Sequence, residues 1–115
     1  MFMLGTLYRD TTTLSGGVVI RQQFIGVASE ESLLIINGAD GVLGLGPVAL
    51  TVGTLVNDLD GTIPTVVDNL LIQNAISQPV ISYFFLPSLA TEIHYGTITF
   101  GGIDPANHAG PITYT

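Results

Sequence analysis

The apolar and polar positions divide the chain into stretches of different period. Gly5 to Leu14 (GTLYRDTTTL) sets Leu7, Tyr8 and Leu14 among threonines, the composition of a half-exposed strand. Ser15-Gly16-Gly17 reads as a turn. Val18 to Ala28 (VVIRQQFIGVA) reads as the returning strand of a hairpin, with Gly26 at a bulge. Ser29 to Gly38 is expected to be a loop, although Leu33-Leu34-Ile35-Ile36 within it is strongly apolar. Ala39 to Pro47 (ADGVLGLGP) threads apolar residues between glycines, which predicts a buried strand that leaves its sheet abruptly. Gly44 and Gly46 have no Cβ, so another strand can cross close above them.

Leu50 to Gly61 is irregular, and then the period changes. Val66, Val67, Leu70 and Leu71 fall on one face of a helix of about ten residues. Pro64 stands just before or at its first turn, and Asn74 can end it in a left-handed conformation. Val80 to Leu86 (VISYFFL) is a continuous apolar run, expected to be a strand buried on both faces. Pro87 to His94 reads as a surface loop, Tyr95 to Phe100 alternates with period two, and Gly101-Gly102 and Asp104-Pro105 are turns. Gly110 to Thr115 is expected to begin a further strand. The fold class is mainly β, with hairpins and one short helix. The expected core is Val19, Phe24, Val27, Leu43, Leu45, Val66, Leu70, Val80, Phe84, Ile98 and Phe100.

Composition changes this picture in one respect. The 115 residues are 47% apolar and only 10% charged, against about 25% charged in ordinary globular domains. A small domain has a large surface to cover and should need more polar residues, not fewer. The balance suggests that part of the surface is covered by something outside this sequence. Net charge is −7, with Arg9 and Arg21 as the only cations. That leaves no basic stripe for nucleic acid or for an anionic membrane surface. No apolar run approaches the roughly 18 residues of a membrane helix. Met1-Phe2-Met3-Leu4 is too short for the apolar core of a signal peptide. There is no cysteine, hence no disulfide framework and no thiolate metal site.

The candidate chemistry is sparse. Gly44-x-Gly46-x-x-Ala49 matches a dinucleotide fingerprint literally. Pro47 and the residues after it do not open a helix, so a pyrophosphate would have no helix N-terminus to sit on. Asp10-Thr11 and Asp40-Gly41 each carry part of an Asp-Thr-Gly turn, and neither completes it. Asp58 and Asp60 read as solvated turn residues, and Glu30-Glu31 as an exposed pair. His94 and His108 lack a third ligand at metal spacing. Ser29, Ser32 and Ser77 have no nucleophile-elbow context. No metal or cofactor is expected.

Four stretches together resemble the pepsin-like aspartic endopeptidases. Asp40 to Gly46 (DGVLGLG) is similar to the family's apolar-apolar-Gly segment, which crosses the catalytic aspartate loop. Pro64 to Leu70 (PTVVDNL) is similar to the helix that follows it. Tyr95 to Asp104 (YGTITFGGID) resembles the strand-turn ending in Gly-Gly-Ile-Asp. Gly5 to Thr11 with Gln23 to Ala28 resembles the hairpin after the active-site flap. Order and spacing agree from about Gly5 to Thr115. The run Gly46 to Leu55 (GPVALTVGTL) most resembles the secreted enzymes of wood-decay fungi within that family.

The resemblance implies a partial acid-protease β-barrel lobe. It places 1–115 as one partial domain, the later part of an N-terminal lobe after the flap plus the start of an inter-lobe sheet. The family's two catalytic aspartates lie in Asp-Thr/Ser-Gly motifs, and neither motif occurs here. Their expected places fall before Met1 and beyond Thr115, as does that of the flap tyrosine before Gly5. The chain is therefore expected to be a fragment, inactive alone. It would meet peptide or protein substrates only within a complete enzyme, after association with the missing lobe segments. By the same resemblance Val42 and Leu33 line the pocket for the side chain before the scissile bond, Gly44 lets the catalytic loop pass, and the enzyme is secreted. Two alternatives from other classes stand beside it: a non-catalytic β-rich interaction or decoy module, and a self-standing small-ligand module.

Overall fold

The computed structural model describes residues 3–31, 40–86 and 96–113. The chain divides into two compact units, Met1–Ala75 and Ile76–Thr115.

In the first unit, strand β1 (Met3–Thr13) pairs antiparallel with β2 (Val19–Glu31). Ser15–Gly17 joins them in a helical turn, in which Gly16 and Gly17 have positive φ and Leu14 N–H donates to the Val18 carbonyl at 2.8 Å. β2 runs on through Glu31, so the expected loop begins later than Ser29. The apolar run Leu33 to Ile36 lies outside the described residues.

The register slips twice, and neither slip is at Gly26. Opposite Leu4 and Gly5, β2 carries the extra residue Ser29, whose hydroxyl donates to the Leu4 carbonyl at 3.3 Å. A side chain at Gly5 would run into the Val27 carbonyl, so the close strand approach requires glycine there. The second slip sets Thr11 against both Arg21 and Gln22, and Gln22 takes the extra residue's left-handed conformation with φ 61°.

That second bulge corrects the expected core of β2. Val19 is expected in the core, yet it is exposed and Ile20 is fully buried. One extra residue between Ile20 and Gln23 turns both toward the same side. Gln23 is thus the one buried polar side chain among the described residues.

The helix is shorter than expected. α1 spans Val66–Ile72 and is capped by Thr65, whose hydroxyl accepts from Asp68 N–H while the Asp68 carboxylate accepts from Thr65 N–H. Asn74 ends the turn with φ 56°, as its position predicts. Val66, Val67 and Leu70 are buried and α1 packs on β2, while Leu71, expected on the same face, is half-buried.

The glycine-rich stretch is not a buried strand. Residues 41–45 form no ladder, and Val42 and Leu43 are exposed. A strand here needs a neighbour to pair with, and none approaches among the described residues. Val48–Thr51 follows as a short 3-10 turn, not the helix a dinucleotide site requires.

In the second unit β3 (Ile81–Phe85) pairs antiparallel with β4 (Gly96–Phe100). β3 is not buried on both faces: Tyr83 and Phe85 are exposed, and no helix or strand of the described residues of this unit lies over the face that they share. Pro105–Asn107 forms a 3-10 turn capped by Asp104. Residues 111–113 form no strand, contrary to expectation. The expected loop from Pro87 to His94 lies outside the described residues. Of the remaining expected core, Val27 and Ile98 are exposed, and Phe24, Leu45, Val80, Phe84 and Phe100 are half-buried.

Candidate functional site

The first unit holds an apolar groove of about 570 Å³. Residues 23–26 of β2 form one wall, 63–66 a second, and the glycine-rich run with Leu50 the third. Thr51 ties the last two together, its hydroxyl donating to the Val48 carbonyl at 2.7 Å and accepting from Ile63 N–H at 2.8 Å. A short turn and the segment entering α1 are thereby held as one piece.

Val42 lies on this groove and is 71% exposed. Leu33, its expected companion, lies outside the described residues. A Cβ added at Gly44 would meet nothing within 4 Å, and one at Gly46 would come within 3.1 Å of Leu50 Cδ1. No strand of the described residues crosses over either glycine.

Among the described residues no carboxyl or imidazole lines the groove, and those that do line it offer shape and apolar surface. Three acids elsewhere serve local structure. Asp10 accepts from Thr11 N–H at 2.7 Å, Asp68 belongs to the helix cap, and Asp104 accepts from Ala106 N–H and from the Asn107 side chain. His108 Nδ1 lies 3.1 Å from the Gly110 carbonyl oxygen, and His94 lies outside the described residues. No three potential metal ligands gather among the described residues. A smaller cavity of about 260 Å³ in the second unit has Ser82, Asp104 and His108 on its lining, but its carboxylate is already engaged in that turn.

The sequence reading missed the amides. Gln23 and Asn69 meet at 2.9 Å. The available signal was a Gln-Gln pair inside an apolar strand, with Asn69 and Gln73 one turn apart on the helix.

A family model described as "Eukaryotic aspartyl protease" matches residues 2–115. Polyporopepsin of Irpex lacteus is 46% identical over 111 residues, covering 96% of this chain and 32% of that protein. Aspartic proteinase A1 of Arabidopsis thaliana is 34% identical, with 96% and 20% covered. Cathepsin E of Rattus norvegicus is 31% identical, with 97% and 26% covered. The crystal structure of the aspartic proteinase from Irpex lacteus matches with a TM-score of 0.85 at 43% identity, covering 95% of this chain and 31% of that one. The chain thus spans about a third or less of the length of these relatives.

Proposed function

The chain belongs to the eukaryotic aspartyl protease family, and from that premise we propose that it is a non-catalytic portion of an aspartic endopeptidase. In a complete enzyme two aspartates share a proton. The ionised one takes a proton from water as that water attacks a peptide carbonyl, and the protonated one hydrogen-bonds the carbonyl oxygen. This sequence contains neither Asp-Thr-Gly nor Asp-Ser-Gly. Its contribution is the scaffold: the later part of an N-terminal lobe and the start of an inter-lobe sheet. Val42 and Leu33 wall the pocket for the residue before the scissile bond. Gly44 leaves room for the aspartate-bearing loop. Peptides are the substrate class and the complete enzyme is secreted, a reading that the family resemblance supports.

The observation that carries this reading is the apolar groove beside Val42, open over a glycine that nothing in the described residues crosses. The test is cleavage of a denatured protein substrate at acid pH, with and without pepstatin. The purified chain should show no turnover. Robust pepstatin-sensitive turnover would show that the acid pair lies within these 115 residues after all.

One observation favours a second reading, a non-catalytic interaction module. The β3–β4 hairpin presents Tyr83, Phe85 and Ile98 on one exposed apolar face. Size-exclusion chromatography separates the two. A soluble monomer with a sharp melt supports a self-standing module. Aggregation that is relieved by adding the preceding lobe segment supports the protease scaffold.

A further inference from the structure

Three side-chain amides, of which Gln23 is buried, Asn69 half-buried and Gln73 exposed, link the hairpin to the helix. Arg21 N–H donates to Gln73 Oε1 at 3.0 Å, and Gln73 Nε2 donates to the Asn69 carbonyl at 3.0 Å. Asn69 Nδ2 donates to Gln23 Oε1 at 2.9 Å, and Gln23 Nε2 donates to the Phe24 carbonyl at 3.1 Å. The backbone groups at the two ends fix the polarity of the chain between them. Arg21 N–H can only donate, so Gln73 must present oxygen to it. The Phe24 carbonyl can only accept, so Gln23 must present nitrogen and keep its oxygen for Asn69. Gln23 is 7% exposed. Its amide can stand there because the nitrogen and the oxygen each have a partner.

We propose that Gln23 and Asn69 are positioning residues: they lock the rotation of α1 on β2 and so fix the separation of two walls of the groove. Gln23 stands on one wall, and Thr65 and Val66, at the start of the helix that carries Asn69, stand on another. Apolar contacts among Ile20, Val66 and Leu70 hold these elements together but tolerate sliding and rotation. A directional amide pair with Gln23 buried does not. The bulge at Gln22 is what turns Gln23 inward to meet the helix. The role rests on the reading of the groove as the seat of the aspartate-bearing loop.

Hydrogen exchange and chemical shifts of the whole 115-residue chain test the lock. The side-chain amide hydrogens of Asn69 and Gln23 should exchange roughly tenfold or more slowly than those of exposed Asn57. Equal rates overturn the proposal. The double substitution Gln23→Met with Asn69→Leu removes both partners and strands neither. It should keep cooperative unfolding while moving the signals of Gly26 and Ile63, which line the groove away from both substituted positions. A merely cohesive role predicts the reverse, a lowered midpoint with those signals unmoved, and that result also overturns the proposal. Where the apolar pair fails to fold, the exchange Gln23→Asn with Asn69→Gln must restore the original signals, and failure to do so counts against it. These readouts do not depend on what fills the groove. A protected amide pair beside a groove that takes up no aspartate-bearing segment would fault the functional reading and leave the lock standing.

Discussion

Two hairpins in this chain obey the same local rules and meet different fates. β1–β2 carries α1 against one face, and Ile20, Val66, Val67 and Leu70 are buried where they meet. β3–β4 has an equally apolar face in Ile81, Tyr83, Phe85, Ile98 and Phe100, since the register sets these side chains on one side. Phe85 is nevertheless 74% exposed. Strand propensity and alternation build both ladders. Burial then depends on whether another element arrives. For the first hairpin it is a helix some forty residues along the chain, held in place by its own capping box. For the second, no helix lies over it among the described residues of its unit.

The sharpest way to break this contrast is Leu70→Ala. Leu70 is fully buried, and truncating such a side chain typically costs about 2–5 kcal/mol. Urea unfolding followed by circular dichroism should show the loss, since the chain has no tryptophan to report it. A cost below about 1 kcal/mol would mean that helix and hairpin do not share a core. Next comes Thr65→Ala. It removes the hydroxyl that accepts from Asp68 N–H and donates to its carboxylate at 2.7 Å. Loss of such a cap costs about 1 kcal/mol, and the same titration should resolve it as a smaller shift of midpoint.

On the other hairpin, Phe85→Ser should cost less. Phe85 stacks on Tyr83 with ring centroids 6.4 Å apart, and its ring lies over Gly96 on the facing strand. Losing a cross-strand aromatic contact of this kind costs up to about 1 kcal/mol. The same substitution should raise solubility, measured as the concentration at which light scattering appears. A loss as large as that of Leu70→Ala would show that the exposed face is covered in solution, and the two hairpins would then be alike.

How much of this was legible follows from the same distinction. The helix and its end at Asn74, the first hairpin, and the apolar face that carries Val66 and Leu70 are set by residues close in sequence, and local patterns reveal them. Ile20 in place of Val19 depends on a bulge at Gln22, where a non-glycine residue takes positive φ. Nothing in an apolar-polar pattern marks that position. The run from Val42 to Leu45 has the apolar content of a buried strand but no partner among the described residues. Composition reported the need for a neighbour and could not supply one. Val42 was legible as a candidate wall through family resemblance alone, and Gln23 and Asn69 were overlooked because amides do not register in a hydrophobic pattern.

The smallest expected effect carries the most information. In this chain Gly44→Val should change stability by no more than about 0.5 kcal/mol, because a Cβ there meets nothing within 4 Å and the backbone needs no glycine conformation. In a complete enzyme the same substitution should be severe, since the proposed passage of the aspartate-bearing loop over Gly44 leaves no space for a branched side chain. The comparison is made by melting the 115-residue chain and the full-length protein, each with and without the substitution. Harm in both would mean that something within these residues already packs against Gly44. Harm in neither would remove the close crossing from the scaffold. Harm in the longer protein alone would locate the missing neighbour outside this sequence, directly above the groove.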